Sequence, residues 1–277
     1  MLKKKVIAIV GPTGSGKSSL GAYLAHNLGG EIIAADSRQA YRGMRVISRA
    51  DKAHMVGVAD PRRQFSAGEY VKACSSVLQK TRIPIVVGGT GFYIDTLLGR
   101  MAMPEVAPNK KLREQLEQLT TRQIAARLKK LDPASAKRVD LKNRPRIVRA
   151  IEIAKALGKV PAPALSTQYN VLWLGLKEQK NLTAGVEARL KAGMVAEAKK
   201  LRSTLSKKRY AELGFEFALL ADYLDGKLAR TTLAKELVRG EQKYAKRQWR
   251  WFKRNKDIYW IKNKSEALRL AKGFLSR

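Results

Sequence analysis

The first hundred residues alternate short apolar runs with glycine-rich turns and amphipathic stretches. Residues 6–10, Val-Ile-Ala-Ile-Val, are apolar without a break, the pattern of a strand buried on both faces. A loop at 11–16 follows, and residues 17–27 then place Leu20, Tyr23, Leu24 and Leu28 on one helical face. Gly29-Gly30 ends that helix. A second short strand, 31–35, stops at Asp36, and a third, 83–87, runs again into glycines. Between them, Ser66 opens a helix over 66–78 with Glu69 three residues on, the spacing of a capping box. This rhythm predicts an α/β fold, a parallel sheet with helices on both faces. Ligands collect at the carboxyl ends of the strands in such sheets. The strand ends at Gly11, Asp36 and Gly88 are therefore expected to converge.

Beyond Pro104 the texture changes. Residues 104–142 are helix-forming, carry ten basic residues against five acidic ones, and break at Pro108 and Pro133. They predict a small all-helical insertion domain at 104–143, set between two parts of the core, 1–103 and 144–277. Residues 144–157 resume an amphipathic helix with Ile147, Ala150, Ile151 and Ala154 as its stripe. Residues 171–176 read as a further core strand. The remainder reads as helix, apart from an apolar stretch at 258–261.

Charge adds a partner to this picture. Lys and Arg number 56 against 23 Asp and Glu, a formal net charge of +33 over 277 residues. Such a surface repels itself, and a polyanion relieves the repulsion. Nucleic acid is the leading candidate; a generally basic proteome is the bland alternative. The 45% hydrophobic content excludes a disordered chain. One cysteine, Cys74, excludes an internal disulfide or a multi-cysteine zinc site, and two histidines support no metal site of their own. No run of about 18 apolar residues occurs, so no membrane span is expected. Met1 to Lys5 with the apolar run after it suits a first strand better than a signal segment, which makes the cytoplasm the expected compartment.

The loop Gly11-Pro12-Thr13-Gly14-Ser15-Gly16-Lys17-Ser18 fits G-x-x-x-x-G-K-[ST] between a strand and a helix, the context this phosphate-binding loop requires. Its glycines let backbone amides face phosphate oxygens, and the helix N-terminus adds its positive end. Lys17 supplies a cation and Ser18 a hydroxyl for Mg²⁺. A di- or triphosphate with a metal is implied; ATP is not specified. After the second strand, Asp36, Ser37 and Gln39 gather donors and acceptors at a strand end. A Gln amide can pair with an adenine edge, and a neighbouring carboxylate can take its amino proton. Spacing alone favours a plainer reading, a turn held by Asp and Ser side chains with Tyr41 packed beneath.

Seven motifs then occur in order. They are the phosphate loop, Asp36-Ser37-x-Gln39-x-Tyr41-Arg42-Gly43-Met44, residues 66–70, Gly88-Gly89-Thr90-Gly91-Phe92-Tyr93, Leu131-Asp132-Pro133, residues 146–152, and Tyr244-Ala245-Lys246-Arg247-Gln248-x-x-Trp251-Phe252. Together, over nearly the whole chain, they resemble the tRNA dimethylallyltransferases, the bacterial tRNA isopentenyltransferases. The resemblance implies a P-loop core and an insertion that grips the anticodon stem-loop of tRNA. It implies transfer of dimethylallyl from dimethylallyl diphosphate to N6 of adenine 37, with Mg²⁺ as cofactor and a monomer as the expected state. By the same resemblance Asp36 is the general base and Thr90 lies at the reacting centre. Ser37, Arg38 and Gln39 contact the flipped base, and Pro145, Arg146, Ile147, Val148 and Arg149 contact tRNA.

The chain departs from the family at particular places. Arg38 stands where Met is common and Arg45 where Asp is. The stretch between Lys52 and His54 is short, Glu216 replaces a Lys, and a phosphate-contacting basic residue expected near Gly185 is missing. Two basic stretches add tRNA candidates. Arg144, Arg146 and Arg149 share a helix with an apolar stripe, and residues 243–254 interleave cations with aromatics. In the latter, Tyr244, Gln248 and Trp251 share a face and read as core, leaving Arg247 and Trp249 for RNA. The rival functions are an isopentenyltransferase acting on free adenine nucleotides, a P-loop small-molecule kinase, and a non-catalytic RNA-binding protein.

Overall fold

The computed structural model describes residues 3–49, 53–101, 103–162, 168–177 and 181–277; Met1, Leu2 and Lys52, used above, lie outside them. The chain forms two units, Met1–Leu98 with Thr167–Arg277, and Gly99–Ser166.

The larger unit begins with β1 (Lys4–Val10), α1 (Lys17–Leu28), β2 (Glu31–Ala34), α2 (Arg45–Ser48), α3 (Ala67–Lys80), β3 (Pro84–Gly88) and α4 (Gly91–Leu97). The smaller unit holds α5 (Lys110–Glu117), α6 (Thr121–Leu131), α7 (Pro133–Ala136) and α8 (Arg144–Leu157). The larger unit resumes with β4 (Tyr169–Gly175), α9 (Leu182–Lys191), α10 (Met194–Thr204), α11 (Lys207–Glu212), α12 (Phe215–Leu224), α13 (Arg230–Phe252), β5 (Tyr259–Trp260) and α14 (Lys264–Ser276).

Among the described residues five strands pair in parallel in the order β2-β3-β1-β4-β5. β1 lies at the centre with Val6 to Val10 fully buried, which is why its sequence shows no alternation. On one face Ile7 and Ile9 pack with Leu20 and Leu24 of α1 and Ala267 and Ala271 of α14. A second core contains no strand residue, joining Met44 and Ile47 to Val186, Met194, Phe217, Leu233 and Leu237 of the α9–α13 region. The apolar stretch at 258–261, expected only as an interruption of helix, supplies the edge strand β5, which pairs with β4 at Leu174–Tyr259. The capping box at Ser66 and Glu69 forms as expected.

The unit boundary differs from the expected 104–143. Helix α8 belongs to the smaller unit, where Ile147, Ala150 and Ile151 pack with Leu112, Leu116, Ile124 and Leu128. An apolar stripe shows that a helix is buried on one side; it does not say against which neighbour. Buried Glu152 fastens this unit by accepting from the Asn109 amide at 2.9 Å, from Arg113 at 2.7 Å and from Arg149 at 3.2 Å. Among the described residues no helix is long and apolar enough to cross a membrane.

Candidate active site

β1 runs directly into the loop 11–18. Gly14 and Gly16 take φ of 76° and 89°, left-handed values that a Cβ would strain, and they turn the loop amides inward. α1 then begins at Lys17 with no side-chain cap, so its first N–H groups face the loop's mouth. The loop's donors are not all free for an anion. Pro12 has no N–H, Thr13 N donates to Gln248 Oε1 at 2.7 Å, and Ser15 N reaches the Pro12 carbonyl at 3.3 Å. Among the described residues no such loop bond engages the amides of Gly14, Gly16, Lys17 or Ser18, which makes them available to an anion. Ser15 Oγ is buried without a partner, a hydroxyl that a bound anion would satisfy. Ser18 is exposed on the first turn of α1.

Lys17 Nζ donates to the Pro12 carbonyl at 2.6 Å. Burial brings its pKa down to about 8; the Asp36 carboxylate pulls it upward, and the Arg49 guanidinium pushes it further down. These three charges therefore share one local field.

The predicted convergence of strand ends is present. Ala35 N donates to the Val87 carbonyl at 2.8 Å, and Thr90 N to the Ala35 carbonyl at 3.2 Å. A Cβ on Gly88 would overlap the Ala35 backbone, so only glycine allows these strand ends to approach so closely. Thr90 Oγ1 accepts from Ser37 N at 3.0 Å and is hydrogen-bonded to the Tyr244 hydroxyl. Asp36 is half-buried, and its Oδ1 accepts from Arg38 N at 2.9 Å, which fixes the carboxyl at the strand tip. Asp36, Ser37, Thr90 and the loop thus stand together.

Several predicted contact residues are committed elsewhere. The Arg38 guanidinium pairs with buried Glu216 and lies between the rings of Phe215 and Tyr244, at 5.3 and 5.1 Å from their centroids. It is a structural ion here, not a free base contact. Burial pushes the Glu216 carboxyl up against the pull of Arg38, and Glu216 Oε2 has no partner. Gln39 Nε2 donates to the Ser48 and Arg49 carbonyls at 3.0 and 3.3 Å, so its amide braces a loop instead of facing an adenine. In the smaller unit Ile147 is fully buried and Val148 packs on the same core. Arg149 is held by Glu152 and the Val106 carbonyl, and Arg144 caps the end of α5 through the Leu116 and Leu119 carbonyls. Pro145 and Arg146 remain exposed. Trp249 already packs on Trp260, with ring centroids 4.7 Å apart, which leaves it no free pair of faces for stacking. Arg247 is exposed over Tyr244.

The residues that the sequence reading assigned to core form the site's wall. Gln248 bridges the loop to β3's end, accepting from Thr13 N and donating to the Gly89 carbonyl at 3.0 Å. Tyr244 holds Thr90, and burial raises its phenol to about 12. Trp251 donates to Asp95 at 2.8 Å. A polar group on a mostly apolar helical face was the available signal, and Gln248, only 5% exposed, is its clearest instance.

A family model described as IPP transferase matches residues 39–255. The tRNA dimethylallyltransferase 1 of Geotalea uraniireducens is 34% identical, over 98% of this chain and 96% of its own length. The tRNA dimethylallyltransferase 2 of Syntrophotalea carbinolica is 33% identical, over 98% and 99%. Among solved structures, the full-length tRNA isopentenylpyrophosphate transferase of Bacillus halodurans matches with a TM-score of 0.72 at 26% identity, covering 99% of this chain and 97% of that one. A eukaryotic dimethylallyltransferase acting on tRNA matches in fold with a TM-score of 0.84 at 24% identity, covering 99% and 80%.

Proposed function

The chain belongs to the IPP transferase family, and from that premise we propose that it moves a dimethylallyl group from dimethylallyl diphosphate onto N6 of adenine 37 in tRNA. The observation that carries this reading is the pairing of an anion loop with a carboxylate: Gln248 ties Thr13 of the loop to the Gly89 carbonyl at the end of β3, and Ser37, next to Asp36 at the tip of β2, is tied to Thr90 one residue further on.

The adenine amino nitrogen is a poor nucleophile, because its lone pair is delocalised into the ring. An allylic carbon compensates by spreading positive charge as its bond to oxygen loosens. N6 forms a bond to the allylic C1, the C1–O bond breaks with its electron pair staying on diphosphate, and the N6 proton passes to Asp36. Lys17 and the amides of Gly14, Gly16 and Ser18 stabilise the departing diphosphate. Asp36 contributes as general base, about 10²–10⁴-fold in effects of this kind. Thr90, fixed by Ser37 N and Tyr244, holds the segment that carries Asp36 in register with the loop.

Among the described residues no cluster of three His, Cys, Asp or Glu would hold a metal by itself. The Ser18 hydroxyl, exposed on the first turn of α1, is the group that would hold Mg²⁺, which would supply further neutralisation of the leaving group. In the larger unit the tRNA contact expected at Arg247 is on an exposed side chain; in the smaller unit, taken by itself, Pro145 and Arg146 are the exposed candidates for the anticodon stem-loop.

The test is incubation with labelled dimethylallyl diphosphate, Mg²⁺ and either tRNA, AMP or ATP. Label is expected on tRNA alone; label on AMP or ATP would assign the protein to free-nucleotide prenylation. Asp36→Asn should lower turnover by at least about 10²-fold with tRNA affinity unchanged. Turnover near wild type would remove Asp36 from the base role.

A further inference from the structure

We infer that Arg49 is a second cationic ligand of the diphosphate, reaching the phosphate loop through space that Gly185 leaves open. The inference deepens the reading above and rests on it. Arg49 closes α2 in the left-handed conformation, φ 55°, an uncommon state for a residue with a side chain. Its backbone N–H returns to the Arg45 and Val46 carbonyls, and its carbonyl accepts from Gln39, three residues after Asp36. The turn is thereby tied to the segment that bears the carboxylate.

The guanidinium then crosses α9 at Gly185. A Cβ built on Gly185 would stand 2.7 Å from Arg49 Nη2 and 3.3 Å from Cζ. Any side chain there would displace the guanidinium. Gly185 has no positive φ and lies inside a helix, where glycine is a poor choice for the backbone alone. The vacancy for Arg49 gives it a reason to be there.

Charge completes the case. Arg49 Nη2 lies 3.2 Å from Glu241, and Arg189, one helical turn after Gly185, pairs with the same carboxylate. Two guanidinium groups share this carboxylate, and Glu216, which also acts on Arg189, is already paired with Arg38, so three guanidinium groups meet two carboxylates. Arg189 is buried, whereas the Arg49 side chain is 36% exposed and is the one of the two open to a ligand. Glu241, which holds it, lies one helical turn before Tyr244 and two before Gln248 on α13, the residues that bind Thr90 and the loop's Thr13, so the guanidinium stands on the helix that walls the loop, where its charge also disfavours the protonated form of Lys17. Two cations that repel each other beside an uncapped helix N-terminus are relieved by a multiply charged anion, and the donor's diphosphate is the anion this loop takes.

The experiment is calorimetric titration of the full chain with inorganic diphosphate and Mg²⁺, with thermal unfolding and tRNA affinity measured on the same variants. Arg49→Ala should weaken diphosphate binding 10–100-fold without changing tRNA affinity, and Arg49→Lys should recover part of the loss. Gly185→Ala displaces the guanidinium without removing it. It should weaken diphosphate binding while the unfolding temperature holds or rises, because alanine suits a helix better than glycine. A purely structural arginine would not separate the two readouts in this way. Arg49→Ala with Gly185→Arg should restore binding by supplying the guanidinium from α9. Lys17→Ala tests the parent reading: unaltered diphosphate binding there overturns the phosphate-loop assignment. If Lys17→Ala abolishes binding while Arg49→Ala and Gly185→Ala bind as wild type, or if Arg49→Ala weakens only tRNA, the assignment of Arg49 alone is overturned.

Discussion

Replacing Gln248 by leucine keeps most of the side-chain volume and removes both ends of the amide bridge. Thr13 N–H then loses its acceptor at 2.7 Å, and the Gly89 carbonyl loses its donor at 3.0 Å. The residue is 5% exposed, so water cannot take the amide's place without local rearrangement. An orphaned buried polar group costs about 1–3 kcal/mol. Two of them total about 2–6 kcal/mol, and partial relaxation of the loop toward solvent brings the expectation to about 2–4 kcal/mol. At about 2–4 °C per kcal/mol for a chain of this size, the unfolding temperature should drop by several degrees. The relaxation itself has a kinetic consequence. A loop freed at Thr13 no longer holds the diphosphate in register, and displacement by about 1 Å costs on the order of 10²-fold in rate. Initial-rate kinetics with varied dimethylallyl diphosphate should show kcat/KM lowered about 10–100-fold, beside unaltered tRNA binding. An unfolding temperature within about 1 °C of wild type, together with unchanged donor kinetics, would refute the idea that α13 positions the phosphate loop.

Arg38 and Glu216 should behave as one unit. Arg38→Met leaves Glu216 buried and unpaired, costing about 3–5 kcal/mol in denaturant unfolding, and adding Glu216→Leu should recover most of it. A coupling energy below about 0.5 kcal/mol would mean that the pair contributes nothing specific. Lys17 sets the alkaline limit. With its pKa near 8 in the free protein, and because a neutral lysine cannot pair with an anion, kcat/KM for the donor should be on its plateau about one unit below pH 8. Above pH 8 it should fall about tenfold per pH unit. Lys17→Arg keeps its charge and should abolish the decline; an identical profile in that variant would place the titration on another group.

The parts of the site that were legible in the sequence are contiguous. The phosphate loop is a single eight-residue motif whose backbone conformation follows from its own glycines. Asp36 and Thr90 each end or follow a strand, and parallel topology brings strand ends together. The parts that misled depend on partners far along the chain. Arg38 looks like a base contact until Glu216 arrives 178 residues later, and Gln39 does until the turn after α2 offers its carbonyls. Ile147 sits in a basic segment, yet its place on the apolar stripe decides that it is buried.

The sequence by itself determined the α/β class, the anion loop, the carboxylate beside it and a basic surface. Each follows from local periodicity, a short motif or a sum of charges, none of which needs a distant neighbour. Only the tertiary structure decided which cations are free and which are paired, because ion pairs such as Arg189–Glu241 join elements the chain order keeps apart. It also decided that the face of α13 bearing Tyr244, Gln248 and Trp251 is a wall of the site and not inert core. Helical periodicity reports that a face is covered. What covers it, and whether a hydrogen-bond partner waits there, is settled by packing.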